Sequence, residues 1–400
     1  MFALGTNSRS LPLIIKEAKG SWLWDINGTR YIDAFSSFSS VNFGHKNLFL
    51  KQALLHQMDY VSVFSRTMPS TILLDLCKFI HNKYHSKIVS NHLKFIPMNS
   101  GVESCETAVK IARKWGYIHK EIPINQAKVV FALNNYWGRS ISAISVSDYP
   151  YQKYFYPKTG GFLTVPYNDI EALTSLINST PEITAVFLEP IQGEGGIIIP
   201  DTTYFKKVRE LCTKHDILLI CDEIQTGMGR TGSDLCIDHY GIKADMILLG
   251  KSLGGGFLPV SGCITRQDVA DVLNPGEHSS TFGGYPLGCK MALSSLQYLH
   301  HTDIISHTAK REQIFHKALT SLKDKYPYLI QDVRGKGMLW AIQFKPNTDA
   351  WFIVNQLTKF SIITREANHN VVRLCPPLTI LDVELTFLFE SLDACLASLK

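Results

Sequence analysis

No apolar window in this 400-residue chain approaches the roughly 20 residues needed to cross a bilayer. The first segment, Met1 to Gly20, has no basic stretch leading into a long apolar run and no Arg-rich transit character. No Lys/Arg block marks a nucleic-acid surface, and no basic helix marks a membrane surface. Instead, 40 basic and 35 acidic residues are scattered, for a formal net charge of +5. The 14 histidines form no HExxH or similar cluster, so a metal enzyme is not expected. The nine cysteines (77, 105, 212, 221, 236, 263, 289, 375 and 395) are odd in number, widely spaced and without a CxxC pair. That usage predicts reduced, buried thiols rather than a disulfide frame. Together the absences predict a soluble, cytoplasmic protein with neither nucleic acid nor membrane as partner.

What is present is core material. The hydrophobic fraction is 45%, and the length exceeds the usual single-domain size, so two domains are expected. Short apolar runs alternate with helical patterns through the middle of the chain. The runs are Lys128–Leu133, Ser140–Val146, Ile183–Glu189, Ile217–Asp222, Met246–Gly250 and Val260–Thr265. Several are continuously apolar, as in strands covered by helices on both faces. Glu103–Tyr117 and Thr203–His215 read as helices between them. The ends differ. Trp22–Asp33 reads as a hairpin turning at Asn27-Gly28. From about Ile304 the pattern runs helix, strand Val333–Phe344, helix Ala350–Lys359, short strands Ile362–Arg365 and Val371–Leu374, and a last helix from Leu381. The expected fold class is therefore α/β: a large domain with a mostly parallel sheet over residues 41–303 and a small α+β domain over 304–400. Residues 1–40 are expected to pack with the small domain.

One run ends on a lysine. In Met246-Ile247-Leu248-Leu249-Gly250-Lys251 a buried strand delivers Lys251, and Ile217–Asp222 delivers an acid 29 residues earlier (251 − 222). Each alone reads more readily as a solvated loop lysine or a helix N-cap than as a functional group. As a pair at two strand ends they suit pyridoxal phosphate chemistry. The lysine forms a Schiff base with the aldehyde, and the carboxylate keeps the pyridine nitrogen protonated.

Other segments add to that pair. Ser100-Gly101-Val102 opens an amphipathic helix, whose N-terminus can hold a phosphate. Trp137, in Asn134–Arg139, can stack on a ring, and Arg139 can grip a carboxylate through paired hydrogen bonds. Glu189–Gly196 places two carboxylates and three glycines after a strand. Gln225 follows Asp222 by three residues, and Thr281 lies in a hydroxyl-rich loop, Glu277–Pro286. Arg373 is a charge inside an apolar strand and needs a partner.

These segments carry a resemblance. Met98–Glu103, Ala112–Tyr117, Trp137-Gly138-Arg139, Glu189–Glu194, Asp222–Gly227, Gly250-Lys251 and Pro286–Cys289 are similar to the class III (ω) aminotransferases, pyridoxal-phosphate enzymes of fold type I. The ornithine δ-aminotransferase branch is the most similar. The resemblance implies Lys251 as the Schiff-base lysine and proton shuttle, with Asp222 on the pyridine nitrogen. It implies Gln225 at the phenolic oxygen, Trp137 on the ring, and Ser100, Gly101 and Val102 at the phosphate. Thr281 would reach the phosphate from the neighbouring subunit of a homodimer. Arg139 and Arg373 would bind the carboxylates of the amino-acid donor and of 2-oxoglutarate. Glu194 would shield Arg373 while a terminal amine reacts. The chain departs from the branch at Phe38, where a tyrosine is usual, at Ser8 and at Tyr285. Other ω-amine donors (N-acetylornithine, lysine, diaminobutyrate) and a pyridoxal epimerase or aminomutase therefore stand as alternatives. A nucleotide-binding P-loop at Gly250-Lys251-Ser252 fails, because position 245 is Asp rather than Gly.

Overall fold

The computed structural model describes residues 9–90, 92–147 and 151–399. Ser8 lies outside them. The molecule is built on a seven-stranded sheet in the order Leu93–Met98, Ser261–Arg266, Met246–Leu249, Leu218–Asp222, Ile183–Leu188, Lys128–Ala132, Phe162–Val165. Neighbours from Met246–Leu249 to Phe162–Val165 pair in parallel, and Ser261–Arg266 runs antiparallel to both its neighbours.

The side-chain period of two explains why these runs are apolar throughout. Val130, Val186, Leu219 and Ile247 point to one face, where Phe205, Val208 and Met291 cover them. Val129, Ala185, Leu218 and Met246 point to the other, against Ala108, Ile111 and Ala112 of the helix Gly101–His119. Each fully buried aliphatic side chain contributes about 1.5–3 kcal/mol, so a one-residue slip on either face is strongly disfavoured.

Two smaller sheets flank this core. Ile15–Lys19, Trp22–Asp25 and Arg30–Asp33 form an antiparallel meander, which Ile362–Ile363 joins in parallel beside Arg30–Asp33. Ile330–Lys336, Leu339–Phe344, Val371–Leu374 and Arg365–Asn368 form an antiparallel sheet next to the helices Ile304–Lys325, Ala350–Lys359 and Asp382–Ala397. All nine cysteines are free and eight are buried. No helix among the described residues is long and apolar enough to cross a membrane.

Two expectations are corrected. Ser140–Val146 is not a strand: Ser140 accepts a hydrogen bond from Ala143 N at 3.1 Å and caps the short helix Ile141–Ile144. The single strand expected at Val333–Phe344 is a hairpin that breaks at Gly337, with φ +59°. A side chain there would also strike the Thr231 backbone at 2.3 Å, so only glycine fits the turn. Finally, two sheet edges were unforeseen: Leu93–Met98, where Pro97 is tolerated on an outer strand, and Phe162–Val165.

Candidate active site

The carboxyl ends of parallel strands are where open α/β sheets bind ligands. Leu218–Asp222 and Met246–Leu249 are adjacent and parallel, with Asp222 opposite Leu248, so both chains leave the sheet into one crevice. There Lys251 takes φ +45°, a left-handed conformation uncommon for a side-chain-bearing residue. The crevice is a cavity of about 340 Å³, within the usual range for small-ligand sites. Its walls are Gly101, Val102, Tyr136, Trp137, Gly138, Arg139, Glu189, Ile191, Glu194, Asp222, Ile224, Gln225, Thr226 and Lys251.

The electrostatics follow from burial and a few close charges. Burial lowers the Lys251 ammonium below its ordinary range, against the pull of Asp222, Glu194 and Glu189. Burial pushes the Asp222 carboxyl up to about 6; Ile224 N at 3.0 Å and the Cys105 thiol at 3.8 Å donate to its two oxygens. Glu189 is pushed up to about 8 by burial and by Asp222, although Tyr136 N (3.0 Å) and Gly193 N (3.2 Å) donate to it. Gly193 lets Gln225 lie close, since a Cβ there would fall 1.7 Å from Gln225 Oε1 and push that side chain aside. Glu194 Oε1 sits 2.8 Å from Arg373 Nη1. Burial opposes ionisation of Glu194, but attraction to Arg373 outweighs it and holds the carboxyl below its ordinary range. Arg373 is fully buried; its Nη2 donates to Glu366 O at 3.0 Å, and its guanidinium lies 5.0 Å from the Phe38 ring. Phe38, Arg139 and Glu194 also line an outer cleft of about 800 Å³, so the two share a mouth.

The cavity fits the pyridoxal phosphate that the sequence motifs imply. Gln225 Nε2 is buried in the wall without a partner among the described residues. Asp222 is a buried acid without a cation within ion-pair reach among the described residues. The first amides of the helix Gly101–His119 have no helical acceptor and open on the same space, while Glu103 turns back to accept from Asn99 N and Ser100 N.

The family pattern for class-III aminotransferases matches residues 3–396. The chain belongs to the class-III aminotransferases. Mitochondrial ornithine aminotransferase of Drosophila melanogaster is 39% identical over 97% of this chain and 87% of its own length. Ornithine aminotransferase of Bacillus cereus is 37% identical over 98% and 96%. The crystal structure of the Toxoplasma gondii ornithine aminotransferase superposes with a TM-score of 0.95 at 36% identity, over 99% of this chain and 93% of that one. A second structure of that enzyme holds pyridoxal phosphate at partial occupancy in its active site. An acetylornithine aminotransferase from Elizabethkingia anophelis superposes with a TM-score of 0.87 at 33% identity, over 98% and 96%.

Within this class-III site, three expected positions differ from the sequence reading. Trp137 touches the cavity wall but is only 3% exposed. Its ring stacks on Phe131 at 5.2 Å with Phe162 edge-on, so it serves the core. The neighbouring Tyr136, half-buried, is the aromatic on the cavity that keeps a free surface. Tyr285 does not line either space: its ring is buried against Gly288, edge-on to Phe282. Ser100 stands exposed at the helix cap and does not line the cavity, while Thr281, expected at a neighbouring subunit's phosphate, is exposed on the loop that carries Tyr285.

The sequence reading also missed Tyr136, Glu189 and Cys105 as neighbours of the site. Tyr136 and Glu189 lay inside quoted motifs, but spacing alone does not say which of two adjacent aromatics turns inward. Cys105 carried no signal beyond its place on the apolar face of a helix.

Proposed function

We propose that this enzyme moves the δ-amino group of ornithine to 2-oxoglutarate, giving glutamate and glutamate-5-semialdehyde in a two-stage exchange. The observation that carries the reading is the Glu194–Arg373 pair, 2.8 Å apart at the mouth of the Lys251 cavity. A site of this kind must first accept an amine on an uncharged carbon, then an α-carboxylate. With Glu194 on Arg373, the guanidinium is neutralised and the first substrate fits. When Glu194 moves off, Nη1 and the partnerless Nε are left for a carboxylate.

The remaining roles follow from position. Bound in the cavity, pyridoxal phosphate supplies an aldehyde and an electron-accepting ring. Desolvation disfavours the ammonium form of Lys251, so its amine would serve as the nucleophile toward that aldehyde and would carry the proton between the reacting carbons. Asp222 would hold the proton on the ring nitrogen, since a buried carboxylate in need of a cation favours the protonated form. Gln225 Nε2 would donate to the phenolic oxygen. The Gly101 and Val102 amides would take the phosphate, and Tyr136 would cover a ring face. Arg139 binds the donor's distal carboxylate.

A homodimer completes the site. Val61, Val63, Phe64, Met68 and Phe282 are exposed, and Ser62 O accepts from Leu287 N while Arg66 donates to His278 O, which joins these segments into one apolar face. Such a face marks a subunit contact, and it would bring Thr281 to a neighbour's phosphate. A second donor, N-acetylornithine, is favoured only by the large outer cleft beside Phe38, which brings no hydroxyl.

Glu194→Ala tests the exchange. In single-turnover absorbance, wild-type protein converts with both ornithine and glutamate. The variant favours glutamate over ornithine by about tenfold or more, because removing Glu194 leaves Arg373 buried and uncompensated, a cost of about 3–5 kcal/mol that a substrate carboxylate relieves, against the ~1.4 kcal/mol that tenfold requires. Equal changes in the two halves would remove the switch.

A further inference from the structure

Arg139 is exposed to the outer cleft and makes no hydrogen bond or ion pair with any described residue. What holds its guanidinium is a pair of rings. Tyr136 lies 5.0 Å from it, and Tyr151, from a separate segment, lies 3.7 Å away. A guanidinium stacked through its faces keeps its N–H edge free, and that edge is what pairs with a carboxylate in two parallel hydrogen bonds. Without the rings the long side chain would sample many rotamers, and ordering it on binding would weaken the complex. The Tyr151 ring is half-buried and lines the same cleft as Phe38 and Glu194. Phe38 contributes no polar group to that space; of the arginines lining the cleft, Arg365 is paired with Glu366 and donates to Arg9 O, and Arg139 is the one that also lines the Lys251 cavity.

We propose that Tyr151 is a positioning residue for donor specificity: its ring fixes the Arg139 guanidinium for the distal carboxylate of the amine donor. The inference rests on Arg139 as the carboxylate anchor. The ring, not the hydroxyl, does the work, so phenylalanine substitutes for it.

The test is the half-reaction of the holoenzyme with ornithine, followed by absorbance over a concentration series. Tyr151→Ala raises the half-saturating concentration about fivefold, the scale of a close cation–π contact at an exposed site, and leaves the limiting rate within about twofold. Tyr151→Phe stays within about twofold of wild type in both. Arg139→Ala raises half-saturation further, and adding Tyr151→Ala to it has no additional effect, since the ring acts only through the arginine. Unchanged half-saturation in Tyr151→Ala beside a clear defect in Arg139→Ala overturns the role of Tyr151 alone. Additive defects, or a phenylalanine variant as poor as alanine, overturn it too. Unchanged half-saturation in Arg139→Ala instead overturns the anchor reading beneath it.

Discussion

Lys251→Ala is expected to lose turnover by about 10⁴-fold or more, because the proposed role makes this one side chain both nucleophile and proton carrier and nothing else in the cavity wall can replace it. The nearest titratable groups in the cavity wall are acids: Asp222, Glu189 and Glu194. Arg139 is the other cation in that wall, and guanidinium does not give up its proton at working pH. The fold survives the change, since Lys251 follows the strand Met246–Leu249 and faces the cavity rather than the core. Circular dichroism should therefore match wild type while the absorbance of the covalently held cofactor disappears. A variant with rates near wild type would remove Lys251 from the chemistry.

The second large effect is at Asp222. Its carboxyl is buried and pushed up to about 6, so it gains most from a cation placed against it. The protonated ring nitrogen of bound pyridoxal phosphate would be that cation, and the proposed pairing would favour the ring's electron-accepting form. Asp222→Ala is expected to lower turnover about 10³-fold, the scale for removing one preorganised electrostatic contact. Cofactor should also dissociate faster on dialysis, because the mutual attraction is lost from the bound state. Turnover within tenfold of wild type, with cofactor retained, would contradict the pairing.

Much of this was legible in the sequence, for a physical reason. A strand buried on both faces has to be apolar at every position, so Ile183–Leu188 and Met246–Leu249 announced themselves, and with them the residues at their ends. Asp222 and Lys251 stood out because polarity began where the apolar run stopped. Arg373 stood out as a charge in a strand, and the Glu194 partner lay in a glycine-rich segment too polar for a plain turn. Edge strands were less legible. Leu93–Met98 carries Lys94 and Pro97, which only an outer strand tolerates. Side-chain direction within a loop was illegible: Tyr136 and Trp137 are adjacent, both aromatic, and only packing against Phe131 decides which is core. Likewise Tyr285 was expected at the substrate and is held in the interior by Gly288 and Phe282, a contact between helix and loop that spacing does not encode.

The central claim, transfer of the terminal rather than the α-amino group of ornithine, is tested most directly by isotope. Purified protein is incubated with pyridoxal phosphate, 2-oxoglutarate and ornithine carrying ¹⁵N only at the δ-nitrogen, and the products are read by mass spectrometry. The account predicts that glutamate carries the label and that the five-carbon product has lost it. Unlabelled glutamate, with the label kept on the carbon skeleton, would show that the α-amine moves instead and would contradict the account.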